Sequence, residues 1–197
     1  MKASRQAILA ASLLLSVCAA NAQVASASDT GSTESVPLTS LIATIAKNTG
    51  TKFVLDPRVR APVTLIGEKP SSVTYDELLT ILGTYGFIAV KSGGYVLVLP
   101  DAYTREEPLP FVSGNEKLPD DQPVTAVIHV RSIPAGFLVP ILRPLVPQWG
   151  HLAAMVCTND LIMVDRFASL RRMQTIVKAM DTGTPVTPPK CHYPMPQ

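Results

Sequence analysis

The chain of 197 residues predicts an α+β fold made of two small α/β-layered domains. Apolar residues recur at helical spacing in four segments, and short strand-like runs ending at Gly, Pro, Asn or Asp lie between them. Residues 101–122 separate the two groups, because they combine three prolines with charged side chains and lack a sustained apolar period. We therefore expect a first domain at 36–100, a partly extended linker at 101–122 and a second domain at 123–181.

The first domain is predicted to run helix, strand, strand, helix, hairpin. Its first helix has an apolar stripe on one face, formed by Leu38, Leu41, Ile42, Ile45 and Ala46. Pro37 and Gly50 are typical of the start and the end of such a helix. Short strands are expected at 52–55 and 63–66, and a second helix at 73–85. The Lys91-Ser92-Gly93-Gly94 segment then predicts a hairpin turn.

The second domain is predicted to run β-α-β-β-α, with strands at 124–130, 153–157 and 161–164. Its first helix is expected at 135–146, with Phe137, Leu138, Ile141, Leu142 and Leu145 facing inward. Pro140 and Pro144 each remove a backbone donor, so this helix should be short, irregular or kinked. Thr158-Asn159-Asp160 predicts a tight turn. The last helix, 168–180, should bury Leu170, Met173, Ile176, Val177 and Met180.

Both ends of the chain have compositions unlike those of the two domains. Residues 1–22 are interpreted as a signal peptide, with Lys2 and Arg5 before a short apolar run and Ala20-Asn21-Ala22 as the cleavage pattern. Leu15-Ser16-Val17-Cys18 resembles a lipobox, but Val17 stands where a small residue is wanted. Residues 23–35 are expected to form a flexible leader, and residues 182–197, with five prolines, a disordered tail.

Charge and cysteine content restrict the classes of function. Because Lys2 and Arg5 leave with the signal, the mature chain carries 15 basic and 15 acidic side chains, which gives no general attraction to nucleic acid or anionic membrane. An exported chain lies in an oxidising compartment, which permits a disulfide between Cys157 and Cys191. The alternation of Cys157 with Met155 favours instead a cysteine that faces the core.

Candidate catalytic and metal-binding groups are few. His129, His151 and His192 are isolated, and a lone histidine is more often structural or solvated than a general base. Asp76 and Glu77 are adjacent in the first turn of a helix, where the helix dipole explains them. Neither cysteine has the neighbours that a metal site requires. The sequence predicts no enzyme, no metal and no cofactor.

Several short motifs, in this order and spacing, resemble the N-terminal periplasmic domains of the secretins of type II secretion, the outer-membrane protein D of that system. In the first domain they are 53–59 (FVLDPRV), 63–65 (VTL) and 82–87 (LGTYGF); in the second they are 141–145 (ILRPL) and 159–162 (NDLI). The resemblance covers residues 36–181. It implies a signalling-type domain of the kind shared with TonB-dependent receptors, followed by a KH-like domain.

The resemblance also implies a function and partners. The first domain of such a secretin docks the inner-membrane protein C, and the second packs side by side into a ring. We therefore expect a non-catalytic periplasmic component or accessory of type II secretion, associated with the outer-membrane secretin complex. It would bind protein C, a full-length secretin or further copies of itself. No RNA binding is expected, because the second domain has no Gly-x-x-Gly loop.

Sheet edges are the expected docking sites, since unpaired backbone groups invite pairing with another chain. Val63, Thr64, Leu65 and Ile66 are the candidate residues, because their strand lies between turns with no obvious covering helix. Two departures from the family accompany this prediction. Residues 28–35 lack the apolar opening strand of the family. The pore-forming part is also not expected here, and this would fit either a dedicated short protein or a truncated secretin gene product. The alternative function is a periplasmic signalling domain of the TonB-dependent receptor type.

Overall fold

A computed structural model describes residues 33–191 of the chain, so the predicted signal peptide, most of the leader and residues 192–197 lie outside the described part. The first module has the order β-α-β-β-α-β-β. Its elements are β1 (Thr33–Pro37), α1 (Leu38–Thr49), β2 (Phe53–Leu55), β3 (Pro62–Ile66), α2 (Tyr75–Thr84), β4 (Phe87–Ser92) and β5 (Tyr95–Pro100). β1 and β3 pair antiparallel, and β2, β5 and β4 form a separate three-stranded sheet in that order.

Both predicted helices of the first module are confirmed, with the local interactions that define their ends. Gly50 follows α1 in the left-handed conformation (φ 69°), and its N–H donates to the carbonyl of Ala46. α2 begins after a capping box, in which the Thr74 hydroxyl accepts from the Glu77 N–H while the Glu77 carboxylate accepts from the Thr74 N–H. The core of the module is formed by α1, α2 and the inner faces of the two sheets.

The expected leader and the expected gap in the first sheet are both wrong at residues 33–35. These residues belong to β1, which pairs with β3 over its whole length, Val36 opposite Val63 and Pro37 opposite Pro62. An outer strand is held by its ladder of backbone hydrogen bonds, so it can consist of polar residues and does not need alternating apolar ones. This is why the composition of residues 28–35 gave no indication of it.

The second module begins earlier than expected. It contains β6 (Phe111–Val112), β7 (Pro123–His129), α3 (Ala135–Leu142), β8 (His151–Met155), β9 (Asp160–Arg166) and α4 (Phe167–Met180). One sheet has the order β6-β7-β9-β8, with β6 parallel to β7 and the other pairs antiparallel. β6 and a 3-10 helix (Asp101–Glu106) lie within the segment expected as an extended linker. Val112 is buried there, and its side chain joins the core of this module.

The first helix of the second module is short and irregular, as its prolines predict. α3 ends at Leu142, two residues after Pro140, and the chain continues as a 3-10 helix over Arg143–Leu145. The expected inward face is only half right. Leu138 and Leu142 are buried, whereas Phe137, Ile141 and Leu145 are exposed by 69%, 58% and 41%. These three residues follow i, i+4, i+8 spacing, so they form a second stripe beside the buried one, and spacing alone does not say which stripe packs inward.

Three smaller corrections concern the end of the chain. β8 lies two residues before its expected position, so Cys157 lies in the turn after it. Met180 is exposed at the end of α4, beyond the last turn that packs on the sheet. Residues 182–191 have no regular structure, but they return to the second module, where the Val186 N–H donates to the Arg131 carbonyl (2.7 Å). Within residues 33–191, no helix has the length and apolar character needed to cross a bilayer.

Candidate functional site

The predicted docking residues 63–66 lie in β3, with two facing the core and two facing solvent. Val63 and Leu65 are buried among the residues of the first core, so the inner face of this strand is covered, contrary to the expectation. Thr64 and Ile66 point outward, and Ile66 is 76% exposed. The strand therefore offers its edge and its outer face, rather than an uncovered inner face.

The hydrogen-bond pattern shows which backbone groups of β3 point away from β1. The N–H of Leu38 donates to the carbonyl of Ala61 (2.9 Å), and the register continues as 36 opposite 63 and 34 opposite 65. Because hydrogen-bonded and non-hydrogen-bonded pairs alternate in an antiparallel ladder, residues 63 and 65 bond to β1. The N–H and C=O groups of Thr64 and Ile66 then point to the other side, where no third strand pairs within the described residues. We call these groups the β3 edge.

An open apolar groove of about 720 Å³ lies at the end of the same two-stranded sheet. It is bounded by residues 35–39, where β1 passes into α1, by Arg60 and Ala61 before β3, and by Pro62 at the start of β3. Pro37 and Pro62 face each other in register here. Since proline has no N–H, this end of the sheet presents apolar surface and carbonyl oxygens.

The residues weighed as catalytic candidates have structural surroundings. His129 lies opposite Asp160 in the β7–β9 ladder, with its Nδ1 2.8 Å from a carboxylate oxygen of Asp160 at an exposed position. The hydroxyl and the N–H of Thr74 bond to the Glu77 carboxylate and hold its pKa below the usual value. His151 is exposed at the start of β8. Over the described ranges, no group of three His, Cys, Asp or Glu residues is placed to hold a metal ion.

The second module exposes two apolar surfaces on opposite sides. One is the helix stripe, formed by Phe137, Ile141 and Leu145 on the side of α3 and its 3-10 extension that is turned away from the core. The other is the sheet face, on which Phe111 is 69% exposed and Val127 40% exposed. Their strand neighbours Val112 and Ala126 point into the core, so the sheet face lies on the side away from both helices.

Two polar residues whose roles the sequence did not indicate are buried in the second module. Asn159 has a positive φ of 57° in the β8–β9 turn, and its side-chain amide bonds to the Val130 and Ile133 carbonyls and the Ala135 N–H. Asp165, in β9, is 1% exposed, and burial raises its pKa to about 6. One of its carboxylate oxygens accepts from the Arg166 N–H, and the other has no hydrogen-bond partner among the described residues. A tight-turn motif and strand alternation were their only sequence signals.

Cys157 and Cys191 form a disulfide in the structure, with their Cα atoms 5.6 Å apart. Cys157 follows β8 in the turn, so its side chain is not committed to the sheet. The bond joins the returning segment 182–191 to the β8–β9 turn.

Comparisons with known proteins agree on one family. Residues 32–98 match the family described as GspD-like, N0 domain. Secretin XcpQ of Pseudomonas aeruginosa is 36% identical over 139 residues, which is 70% of this chain and 20% of that protein. Secretin PulD of Klebsiella pneumoniae is 28% identical over 150 residues, 72% of this chain and 22% of that protein. The chain thus spans about a fifth of the length of these relatives.

Two solved structures that contain secretins also match the chain. The crystal structure of the N-terminal domain of XcpQ is 30% identical and matches 78% of this chain and 68% of that chain, with a TM-score of 0.31. The Klebsiella pneumoniae outer membrane complex, which contains PulD, PulS and the PulC HR domain, matches 77% of this chain and 26% of that chain at 25% identity, with a TM-score of 0.67. Residues 32–98 therefore correspond to a GspD-like N0 domain, and the chain is similar to the N-terminal part of the secretins of type II secretion, whose N-terminal domains are structural components of that system.

Proposed function

We propose that this chain is a periplasmic component or accessory of type II secretion that docks the inner-membrane protein C, or a full-length secretin, through the β3 edge. The observation that carries the proposal is the pair of outward backbone positions at Thr64 and Ile66. A partner strand would add to the two-stranded sheet by pairing with these groups. Ile66 would supply an apolar contact beside them, since its side chain is exposed on the outer face.

The groove between residues 35–39 and 60–62 supports the same proposal. It continues the docking surface past the end of the sheet and would take apolar side chains of the partner. The solved Klebsiella pneumoniae complex contains a secretin, PulD, together with the HR domain of PulC. We infer by analogy that protein C is the first partner to test. Export by the predicted signal peptide at residues 1–22 would bring the chain into the compartment where protein C is accessible.

The proposal is tested by placing proline on each side of the ladder. The bait is the predicted mature chain, residues 23–197, and the partner is the periplasmic part of protein C. Thr64→Pro removes an N–H from the β3 edge and leaves the β1–β3 hydrogen bonds in place, because proline is tolerated where a strand N–H faces solvent. We expect binding to weaken roughly tenfold or more, since tenfold is about 1.4 kcal/mol and a net hydrogen bond contributes about that much.

Thr33→Pro is the matched control. Residue 33 lies opposite Ile66 and outside the groove, and its N–H points to the free side of β1, so this variant makes the same chemical change on the other edge of the sheet. Calorimetry gives the affinities, and circular dichroism checks that each variant is folded. Unchanged binding by folded Thr64→Pro, or equal losses in both variants, would contradict docking at the β3 edge.

We propose in addition that the second module packs laterally against copies of itself or of a full-length secretin. The helix stripe and the sheet face support this, because they lie on opposite sides of one module. Two different faces make a head-to-tail contact, and repetition of such a contact gives a ring when the rotation closes.

A further inference from the structure

The two modules meet at one exposed face of α2. The described residues belong to one compact unit, and the carboxylate of Asp121 bonds to one residue of each module. One oxygen of Asp121 accepts from the Thr80 hydroxyl in the first module (2.6 Å), and the other accepts from the Arg166 guanidinium in the second (3.0 Å). These side chains of Asp121 and Arg166 are only 20% and 33% exposed, so solvent screens their pairing less than at an open surface.

Gly83 lies one turn after Thr80 in α2 and is the position against which the guanidinium packs. A Cβ atom added at Gly83 would lie 2.4 Å from Nη2 and 2.8 Å from Cζ of Arg166. Any other residue would therefore push the guanidinium away. Glycine is less favourable than alanine inside a helix, and here it leaves the space that the guanidinium of Arg166 occupies.

Asp121 contacts Thr80 and Arg166 lies against Gly83, and both are held in place by the second module. The N–H groups of Phe167 and Ala168, at the start of α4, donate to the carbonyls of Gln122 and Asp120, 2.9 Å each. Asp121 is thus held between two backbone hydrogen bonds, directly beside Arg166. The centroid of the Trp149 ring, which belongs to the same module, lies 6.0 Å from Cζ of Arg166.

Apolar burial accompanies this polar contact. Ile88 and Val90 point to the face of β4 opposite Phe87 and Ala89, which belong to the first core, yet they are 5% and 1% exposed. β4 contacts β7 of the second module and the 3-10 helix at 101–106, which precedes that module. The contact between modules therefore has a buried apolar part as well as the bridging carboxylate.

We propose that Thr80, Gly83, Asp121 and Arg166 form a module joint that holds the two domains in one orientation. Arg166 is the positioning residue, and Gly83 is the position that admits it. The joint sets where the β3 edge of the first module lies relative to the helix stripe and sheet face of the second. It rests on contacts that the docking and lateral-packing proposals do not use, so it stands or fails independently of them.

A double-mutant cycle between Gly83 and Arg166 tests the joint. Spin labels at Lys47→Cys and Lys178→Cys, both exposed and one in each module, report the distance between modules by pulsed electron resonance; the chain without added cysteines gives the labelling background. We expect a single narrow distance in the parent and a broadened or shifted one in Gly83→Ala and in Arg166→Ala. The double variant should resemble Arg166→Ala alone, because alanine at position 83 does harm only by displacing Arg166.

Gly136→Ala is the matched control, since an added Cβ at this other helical glycine would meet Val156 at an ordinary 3.8 Å. It should keep the narrow distance. Circular dichroism and urea unfolding establish that each variant is folded before its distance is read. A narrow, unshifted distance in Gly83→Ala, or additive broadening in the double variant, would overturn the module joint.

Discussion

Single residues in this chain owe their roles to neighbours that are distant in sequence. The Thr158-Asn159-Asp160 segment predicts a turn, and the turn is present, but Asn159 also bonds to groups at residues 130, 133 and 135. Asp165 lies in a strand whose polar and apolar residues alternate imperfectly, and it is buried with one oxygen unpaired. The spacing of neighbouring residues predicts neither environment, because each depends on which distant chain segments pack against the side chain.

Asp165 carries the prediction at the residue scale. Burial raises the pKa of this carboxyl from 3.8 to about 6, so the folded state binds its proton more tightly than the unfolded state does. Folding is therefore least favourable above pH 6, where the buried carboxyl must ionise, and this cost to the free energy of folding disappears as the pH falls below 4. Two units of pKa correspond to roughly 3 kcal/mol as an upper figure.

The test compares Asp165→Asn with the parent by urea unfolding between pH 4 and pH 8. We expect the variant to gain stability relative to the parent as the pH rises through this range. Taking the difference cancels other groups, such as Asp56, whose pKa is lowered to about 2 by hydrogen bonds from Arg58 and which acts in the opposite direction. A constant difference across the range would show that Asp165 has no raised pKa.

At the scale of the element, residues nearby in the sequence determine where helices and strands begin and end. They do not determine which face of an element packs inward. The stripe of α1, its terminal Gly50, the capping box of α2 and the breaking of α3 at its prolines were all predictable, because each depends on residues within one or two turns. The assignment of the α3 faces was not predictable. Its two stripes are equally apolar, and the sheet selects Leu138 and Leu142 because those residues meet the inner faces of β8 and β9.

The exposed stripe leads to the prediction at this scale. If the helix stripe of one copy packs on the sheet face of the next, Ile141→Asp and Val127→Asp should each weaken self-association. We expect roughly 100-fold, about 2–3 kcal/mol, for placing an unpaired charge in an apolar contact. An equal mixture of the two variants should recover dimers, because each retains the face that the other has lost.

Sedimentation velocity at increasing concentration gives the oligomer distribution. Thr175→Asp, at an exposed position of α4, is the control for a charge placed away from both faces. Failure of the mixture to recover dimers, with both variants folded, would argue against head-to-tail packing.

At the scale of the whole molecule, the disulfide and the returning segment tie the end of the chain to the second module. The bond between Cys157 and Cys191 closes a separation of 34 residues that includes β9 and α4. Asp181 adds to this closure, since its carboxylate accepts from the backbone N–H groups of Arg131 and Ser132. The expected disordered tail thus differs from the structure as far as residue 191.

Removal of the disulfide should lower stability. We expect Cys157→Ser/Cys191→Ser to lose about 2–4 kcal/mol in urea unfolding, because the cross-link restricts the unfolded chain. Adding a reductant should lower the parent to the same value and leave the double variant unchanged. Hydrogen exchange of the Val186 amide should rise in both cases. Alkylation of both cysteines in periplasmically expressed protein, without prior reduction, would show that the bond does not form.

The sequence by itself determined the two modules, the order of most of their elements and the secretin family, because helix stripes, caps, turn residues and short motifs are local patterns. The tertiary structure decided the rest. It recruited residues 33–35 and 111–112 into sheets, chose the inner face of α3, opened one edge of β3 and brought Arg166 onto Gly83. Each of these features depends on backbone pairing or close approach between segments far apart in the chain. Such contacts do not produce a periodic pattern in the local sequence.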